Sequence, residues 1–363
     1  MPTACINQPR CRISLTRERL EVRGCPDDDA PESLLREIPI RDLDRLILEE
    51  SVQISSQALA ALLRASIPVN LMAWNGQFLG AFLPAQNSHG LARLRQYERT
   101  RDPAFALQLA TRLVTAKIYN QRRVLQRLQA GRDRHTADSP NPNPNPSTPA
   151  PSSLPRSPAP LPPTEADLVW LDQVFHNASR ATSLDELRGH EGASTARYFQ
   201  AWARFLPDAF PFERRSTRPP LNPVNACISF AATVLYHESV AFLHATGLDP
   251  ALGLLHATED GRWSLALDLI EPFRPALVEA LTLDLFSHQI LKPDHFESRD
   301  GGVFLNPEGR KRFFLQYERR MERQFMSEAV GHRTTLRQQV EHQGVLFKAA
   351  LQDPARFEPF LIN

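Results

Sequence analysis

Along the first ninety residues the apolar positions recur at short, strand-like intervals. CRISLTRERLEVRG, residues 11–24, shows a short alternation that ends at a glycine, the period of a half-buried strand. IPIRDLDRLILEE follows, with Ile38, Ile40, Leu43 and Leu46 near strand spacing. In SIPVNLMAWNGQFLGAFL two apolar runs flank Asn75-Gly76, a pair that suits a two-residue hairpin because both residues tolerate positive φ. Between these runs SSQALAALLRAS predicts a short helix with a serine cap. From about residue 90 the period changes. DPAFALQLATRLVTAKIYNQRRVLQRLQ has helical spacing and no breaker after its opening Asp-Pro. Helical pattern resumes at EADLVWLDQVF and runs, with breaks, nearly to the end. The pattern predicts an α+β, multidomain chain: a small amino-terminal β-rich domain over 1–90, then a larger all-α domain over 91–363.

One stretch interrupts the helical part. Eleven of the chain's 31 prolines lie between Pro140 and Pro163. Proline lacks an amide donor and fixes φ, so residues of about 136–164 are expected to form an extended, solvated, disordered insertion. A tolerated surface loop and a docking site for a proline-reading module are both open readings of it.

Composition narrows the class. At 363 residues, 42% hydrophobic and 23% charged, the chain reads as an ordinary globular protein with at least one sizeable core. A formal net charge of +1 excludes a polycation, so any nucleic-acid surface must be a local patch. Cys5, Cys11, Cys25 and Cys227 contain no CxxC pair, which fits a reducing compartment better than a disulfide framework or zinc site. The start MPTACINQPRCR lacks the apolar core of a signal peptide. The longest oily run, ACISFAATVLY, has eleven residues, against the roughly 18 of a membrane span. A soluble, cytoplasmic protein with no membrane association is expected.

Candidate chemistry centres on HATEDGRWSLALDLIEPFRP, residues 256–275. Ser264 is positioned to cap a helix, on which Asp268 and Glu271 would share one face within an oily run. Like charges at that spacing repel, and apolar neighbours raise the cost by excluding water. A divalent cation would turn the repulsion into shared ligation. The competing readings are an amphipathic helix with Glu271 paired to Arg274 and Asp268 in solvent, or a strand with Leu265, Leu267 and Leu269 inward. Upstream, Gly247 reads as a helix stop and Asp249-Pro250 as the start of a short helix ending near His256. A third segment, SLDELRGHEGASTARYFQAW, places Glu191 at a helix head between Gly189 and Gly192, where small neighbours leave room for close approach. His190 is a lesser rival to His256 as ligand. One imidazole and several carboxylates make a hard, oxygen-rich set that suits Mg²⁺ or Mn²⁺ better than Zn²⁺.

These segments, in this order, resemble the CRISPR-associated spacer-acquisition integrase, the first-numbered and most widespread Cas protein. RPPLNPVNACISFAATVLY, GLDPALGLLHATEDGRWSLALDLIEPFRP and SLDELRGHEGASTARYF carry the likeness. AKIYNQRR, VQISSQALAALL, IPVNLMAWNGQFLG and GGVFLNPEGRKRFFLQYERRM extend it over the chain outside the proline tract. The resemblance implies an amino-terminal β domain, a carboxy-terminal helical catalytic domain, and a metal-dependent DNA endonuclease and integrase. It implies Glu191, His256 and Glu271 as ligands of Mg²⁺ or Mn²⁺, with Asp268 as an accessory acidic residue. Some members carry aspartate where this chain has Glu271, and the additional methylene alters reach. Implied partners are double-stranded DNA, a second copy of the chain through the amino-terminal domain, and a small ferredoxin-like Cas partner.

The residues supply local basic density for such a substrate. Between Arg101 and Arg134 eight Lys/Arg face two Asp. Arg112, Arg123 and Arg127 fall on one side of an ideal helix, and Lys117 lies among them. Arg218 and Lys292, nearer the acidic motifs, and Arg112, Lys117 and Arg123 are the expected phosphate contacts. A solvated helical face explains the same charges. A catalytically silent DNA- or partner-binding scaffold, or a hydrolase of small phosphoesters, remain alternatives to an integrase.

Overall fold

The computed structural model describes residues 3–6, 8, 10–25, 31–73, 78–85, 89–137, 165–328 and 330–362. The proline tract and Asn75-Gly76 lie outside the described residues. Strands open the chain: β1 (Thr3–Ile6), β2 (Arg12–Thr16), β3 (Arg19–Gly24), β4 (Ser33–Pro39), β5 (Arg45–Glu49) and β6 (Gln53–Ile54). Helix α1 (Ser56–Arg64) and strands β7 (Val69–Met72) and β8 (Phe78–Phe82) complete this region. Helices then dominate: α2 (Gly90–Thr100), α3 (Pro103–Ala137), α4 (Glu165–Ala178), α5 (Leu184–Trp202), α6 (Pro223–Ala245), α7 (Ser264–Ile270) and α8 (Ala280–Ser287). After α8 come ribbon β9 (Phe296–Arg299) and β10 (Gly302–Leu305), helix α9 (Pro307–Glu322), ribbon β11 (Phe325–Ser327) and β12 (His332–Thr334), and helix α10 (Leu336–Ala350). The β-rich start and helical remainder are the expected architecture, to which the two ribbons are short additions.

The β-rich region holds two four-stranded sheets, ordered β1-β5-β7-β8 and β4-β3-β2-β6. β2 and β3 pair antiparallel through Leu15↔Leu20 and Ile13↔Val22, which accounts for the alternation in residues 11–24. Stretch 38–50 is two elements instead of one: Pro39 ends β4 and a 3₁₀ turn at Ile40–Asp42 leads to β5. A proline cannot donate to the next rung of the ladder. β7 and β8 are antiparallel neighbours, as a hairpin requires. Ser55 caps α1, its hydroxyl accepting from Ala58 N–H at 3.2 Å. Ile13, Leu20 and Val22 from one sheet, Leu46, Leu48 and Val69 from the other, and Ala58 and Leu62 of α1 form one buried cluster.

Packing divides the chain into two compact units that do not follow a linear boundary near residue 90. The first comprises Met1–Ala110, Phe230–Glu271 and Thr334–Glu358; the second comprises Thr111–Ser229, Pro272–Arg333 and Pro359–Asn363. Local period reports secondary structure, whereas these units are made by contacts between segments far apart in sequence. Helix α6, 23 residues long, is apolar enough by length and composition to cross a membrane, but 67% of its apolar window is buried. Within the first unit it carries Glu238, which accepts from Arg337 of α10 at 2.6 Å, both side chains buried. Nearby, the Arg45 guanidinium lies 4.0 Å from the centroid of the Phe242 ring and donates to Glu341 at 2.9 Å. Ion pairs of this kind belong to the interior of a folded protein and mark α6 as a core helix.

Removing one partner of a buried pair strands the other charge, so Glu238→Ala is expected to cost about 3–5 kcal/mol in a denaturant melt. Burial also holds the His237 and His244 imidazoles below the ordinary value. As pH falls, the unfolded chain therefore takes up these protons first, and the stability they contribute above the ordinary histidine value is lost on acidification. Urea melts at pH 7.5 and 5.5 should show His237→Gln losing less stability between the two than the wild type.

Candidate active site

The motif built around Asp268 is organised by that carboxylate. Its residue is wholly buried. One oxygen accepts from the backbone N–H groups of Leu254 at 2.5 Å and Leu255 at 3.1 Å. The other accepts from the backbone N–H of His256 at 3.0 Å and from its ring Nδ1 at 2.6 Å. A buried charge of this sort is tolerable only when its lone pairs are used. Asp268 is therefore neither on a solvent-facing side of a helix nor on the polar face of a strand.

This arrangement changes several local expectations. No helix forms between Asp249 and His256; the segment is a turn-rich loop, because the amides of 254–256 are aimed at Asp268. Gly247, at φ +79°, does terminate the preceding helix. Gly253 has a separate reason to be glycine: a Cβ there would lie 2.3 Å from the His256 carbonyl oxygen and 2.6 Å from Ser264 Cβ. Ser264 does not cap α7. Trp263 occupies the cap, and the Ser264 hydroxyl donates to the Ala257 carbonyl at 2.7 Å, tying the loop's end to the helix. α7 stops at Ile270; Glu271–Phe273 is a 3₁₀ turn and Arg274–Glu279 a π-helical turn. Glu271, three residues after Asp268, still has helical backbone angles (φ −54°, ψ −44°), and Pro272 and Pro275 remove donors from the ladder beyond it. Glu271 is buried, and Arg274 lies 3.9 Å from Glu279.

An ionised aspartate oxygen can only accept. In that state Nδ1 of His256 carries the proton of this bond, which leaves Nε2 as the nitrogen for a ligand when the ring is neutral. The side chain remains 34% exposed, enough for the ring to meet a ligand.

Glu191 belongs to the second unit. It sits in the middle of α5 and not at its head, because Ser183 caps that helix earlier, accepting from Glu186 N–H at 3.2 Å. Its Oε1 accepts from the Lys117 ammonium and from the Thr195 hydroxyl, the latter at 3.1 Å. The Gln121 side-chain amide donates to the same Thr195 hydroxyl at 3.2 Å. Cβ atoms built at Gly189 and Gly192 meet nothing within 4 Å, so the small neighbours leave open space as expected. His190 lies 3.8 Å from Glu186, one turn back.

A profile described as "CRISPR associated protein Cas1" matches residues 4–143 and 156–319. The chain belongs to the Cas1 family. A Cas4/Cas1 fusion of Geobacter sulfurreducens is 33% identical over 316 residues, 85% of this chain. The chain spans only 52% of that relative's length. A CRISPR-associated endonuclease Cas1 of Thermus thermophilus is 31% identical over 97% of this chain and 94% of its own. A chain from a partial Cas6-RT-Cas1–Cas2 complex superposes with a TM-score of 0.71 at 25% identity, covering 98% of this chain and 97% of that one. A CAS1 protein from Thermotoga maritima, 21% identical, has the same fold at a TM-score of 0.70 over 100% of both chains.

Within neither unit do three His, Cys, Asp or Glu side chains gather closely enough to hold a metal ion, among the described residues. The donors that the Cas1 resemblance implies are divided: His256 and Glu271 in the first unit, Glu191 in the second. Their chemistry fits a hard divalent cation, with two carboxylates and an imidazole whose tautomer is set by Asp268. The ammonium of Lys117 already supplies a positive charge to Glu191.

The basic residues divide as well. Arg218 and Lys292 are exposed, Arg112 and Arg123 half-buried. Lys117, with its side chain 5% exposed and bonded to Glu191, is not part of an outward phosphate-binding face. The guanidinium of Arg127 is held below its ordinary value by burial and by Arg123, with Arg320 of α9 adding a like charge. Pattern along one helix could not reveal Arg320, which comes from a different element. Asn120, Gln121, Thr195 and Gly253 were equally out of reach, since their roles depend on neighbours distant in sequence.

Replacing Asp268 with alanine should leave the amides of Leu254, Leu255 and His256 without an acceptor, at about 1–3 kcal/mol for each that stays buried. Hydrogen exchange at these amides is expected to accelerate while exchange in the β-rich region is unchanged.

Proposed function

We propose that this chain is a metal-dependent DNA endonuclease and integrase of CRISPR adaptation, acting in the cytoplasm. The observation that carries the reading is the His256–Asp268 pair, a half-exposed imidazole held in one tautomer by a buried carboxylate. Glu191, His256 and Glu271 would hold Mg²⁺ or Mn²⁺. When bound, such an ion supplies Lewis-acid polarisation of a phosphoryl oxygen and stabilises charge on the attacking and leaving oxygens. Asp268 keeps the proton on Nδ1, so His256 serves as a neutral ligand and not as a general base. Burial of Glu271 limits competition from water for its oxygens.

The reaction is transesterification. A 3′-hydroxyl of a short duplex attacks a phosphodiester at the leader–repeat boundary, and one phosphorus–oxygen bond forms as another breaks. Water in place of the hydroxyl gives hydrolysis from the same residues. Arg218, Lys292, Arg112 and Arg123 would meet backbone phosphates, making binding salt-sensitive and largely indifferent to sequence. A second copy, joined through the amino-terminal region, and a small ferredoxin-like Cas partner complete the assembly. Supporting this are the relatives named as CRISPR-associated endonucleases and the similar chain drawn from a Cas1–Cas2 complex.

The test is strand transfer of a labelled short duplex into a supercoiled plasmid carrying leader and repeat, with Mg²⁺, Mn²⁺ or chelator. Chelator should abolish transfer. Glu191→Ala, His256→Ala and Glu271→Ala should each lower it by about two to three orders of magnitude, the scale for removing a charge-stabilising group. Transfer persisting at wild-type rate in these variants would reject the ligand assignment, and a scaffold would show no metal-dependent turnover at all.

A further inference from the structure

Helix α3 contributes no ligand to the proposed metal, yet one short stretch of it bonds Glu191 and the backbone of Pro272, the residue that follows Glu271. Lys117 and Gln121 are four residues apart and so lie on one helical face. The first bonds Glu191 directly, and the second bonds Thr195, whose hydroxyl donates to the same Glu191 oxygen. Between them Asn120 is wholly buried. Its side-chain amide donates to the Pro272 carbonyl at 2.7 Å and to the Phe360 carbonyl at 2.9 Å. Its oxygen accepts from the Ile362 N–H at 2.8 Å.

These contacts are informative because of what they cost. A leucine at a wholly buried helical position would fill space without desolvating an amide, whereas asparagine is tolerable only with its polar atoms matched. The match here is directional. Pro272 is covalently bonded to Glu271, at the point where α7 gives way to a 3₁₀ turn and then a π-helical turn. Pro272 and Pro275 have no N–H to steady this irregular stretch. The Asn120 amide supplies a donor from outside it. The next residue, Phe273, is wholly buried and stacks on Phe360, with ring centroids 4.5 Å apart and planes 7° apart. Phe360 thus meets the turn through its ring, while the backbone of Phe360 and Ile362 is bonded to Asn120.

We infer that Lys117–Gln121 of α3, with the carboxy-terminal segment Phe360–Ile362, is a positioning element that sets Glu191 and the turn bearing Glu271 for metal binding. Asn120, Gln121 and Thr195 are positioning residues. The inference rests on the ligand assignment under Proposed function and adds what holds those ligands. Groups of this kind typically govern metal affinity by about 10–100-fold without touching the ion.

The test is Mn²⁺ titration of the full chain by electron paramagnetic resonance, with a thermal melt on every variant. Wild type should bind, and Glu191→Ala should lose that binding. Asn120→Ala, and a chain ended at Pro359, should each weaken the Mn²⁺ dissociation constant by about 10–100-fold at temperatures where they remain folded. If either fails to fold, Thr195→Val supplies the measurement: it keeps shape, removes the hydroxyl, and should weaken affinity in the same direction. Thr195→Ser, which restores the hydroxyl, should return wild-type affinity. Variants that melt lower yet bind Mn²⁺ as wild type does would overturn the positioning role and leave the ligands intact. Wild type that does not bind, or Glu191→Ala that binds equally, would overturn the ligand assignment and this inference with it.

Discussion

The local structure around the candidate site depends on one buried carboxylate. Asp268 sits in a wholly buried position and spends its lone pairs on the amides of Leu254, Leu255 and His256 and on the His256 ring. An ionised group there without those partners would cost several kcal/mol. Satisfying it dictates the path of the loop, so the amides of residues 254–256 converge on one point. The same contacts hold the imidazole in place and put a proton on its Nδ1. Gly253 follows from this path, because the chain passes too close to the His256 carbonyl for a side chain. Stability and chemistry are carried here by the same bonds.

Irregular backbone is the second feature. After Ile270 the chain passes from α-helix through a 3₁₀ turn to a π-helical turn, and two prolines account for the missing donors. Such turns are frequent where a helix must deliver a functional side chain. The compensation comes from elsewhere in the second unit. Asn120 provides a donor to Pro272, and Phe360 provides a stacked ring to Phe273. Glu191 on α5 is treated similarly: its negative charge is met by Lys117 and steadied through Thr195. A lysine that looks like one of several surface cations along α3 therefore belongs to the carboxylate, while Arg218 and Lys292 are exposed.

Much of this was legible in the chain itself. Alternation in residues 11–24, the serine cap before α1, the long helical period after Asp102 and the stop at Gly247 all express local rules: strand pleat, orphan amides, 3.6-residue spacing and positive φ. Asp268 and Glu271 stood out as carboxylates in an oily run, Glu191 by its small neighbours, and His256 through the short motif before them and the family resemblance. Other expectations failed where a distant partner overrode local preference. Asp249-Pro250 is a sound helix start, yet no helix follows, since Asp268 claims the amides. Ser264 is a sound cap, yet its hydroxyl serves the Ala257 carbonyl instead.

What the order of amino acids determined, then, was the type of most elements, the β-rich start, the helical remainder and the identity of the acidic and imidazole side chains. These depend on interactions within a turn or two, or on strand period. The tertiary structure alone decided that Asp268 is a buried acceptor for His256, that Lys117 serves Glu191, and that Asn120 joins α3 to Pro272 and to the chain's end. It also decided the two compact units, each assembled from three separate stretches. Contacts between residues as far apart as Asn120 and Ile362 leave no periodicity to read, because they are selected by burial and hydrogen-bond satisfaction after the chain has folded.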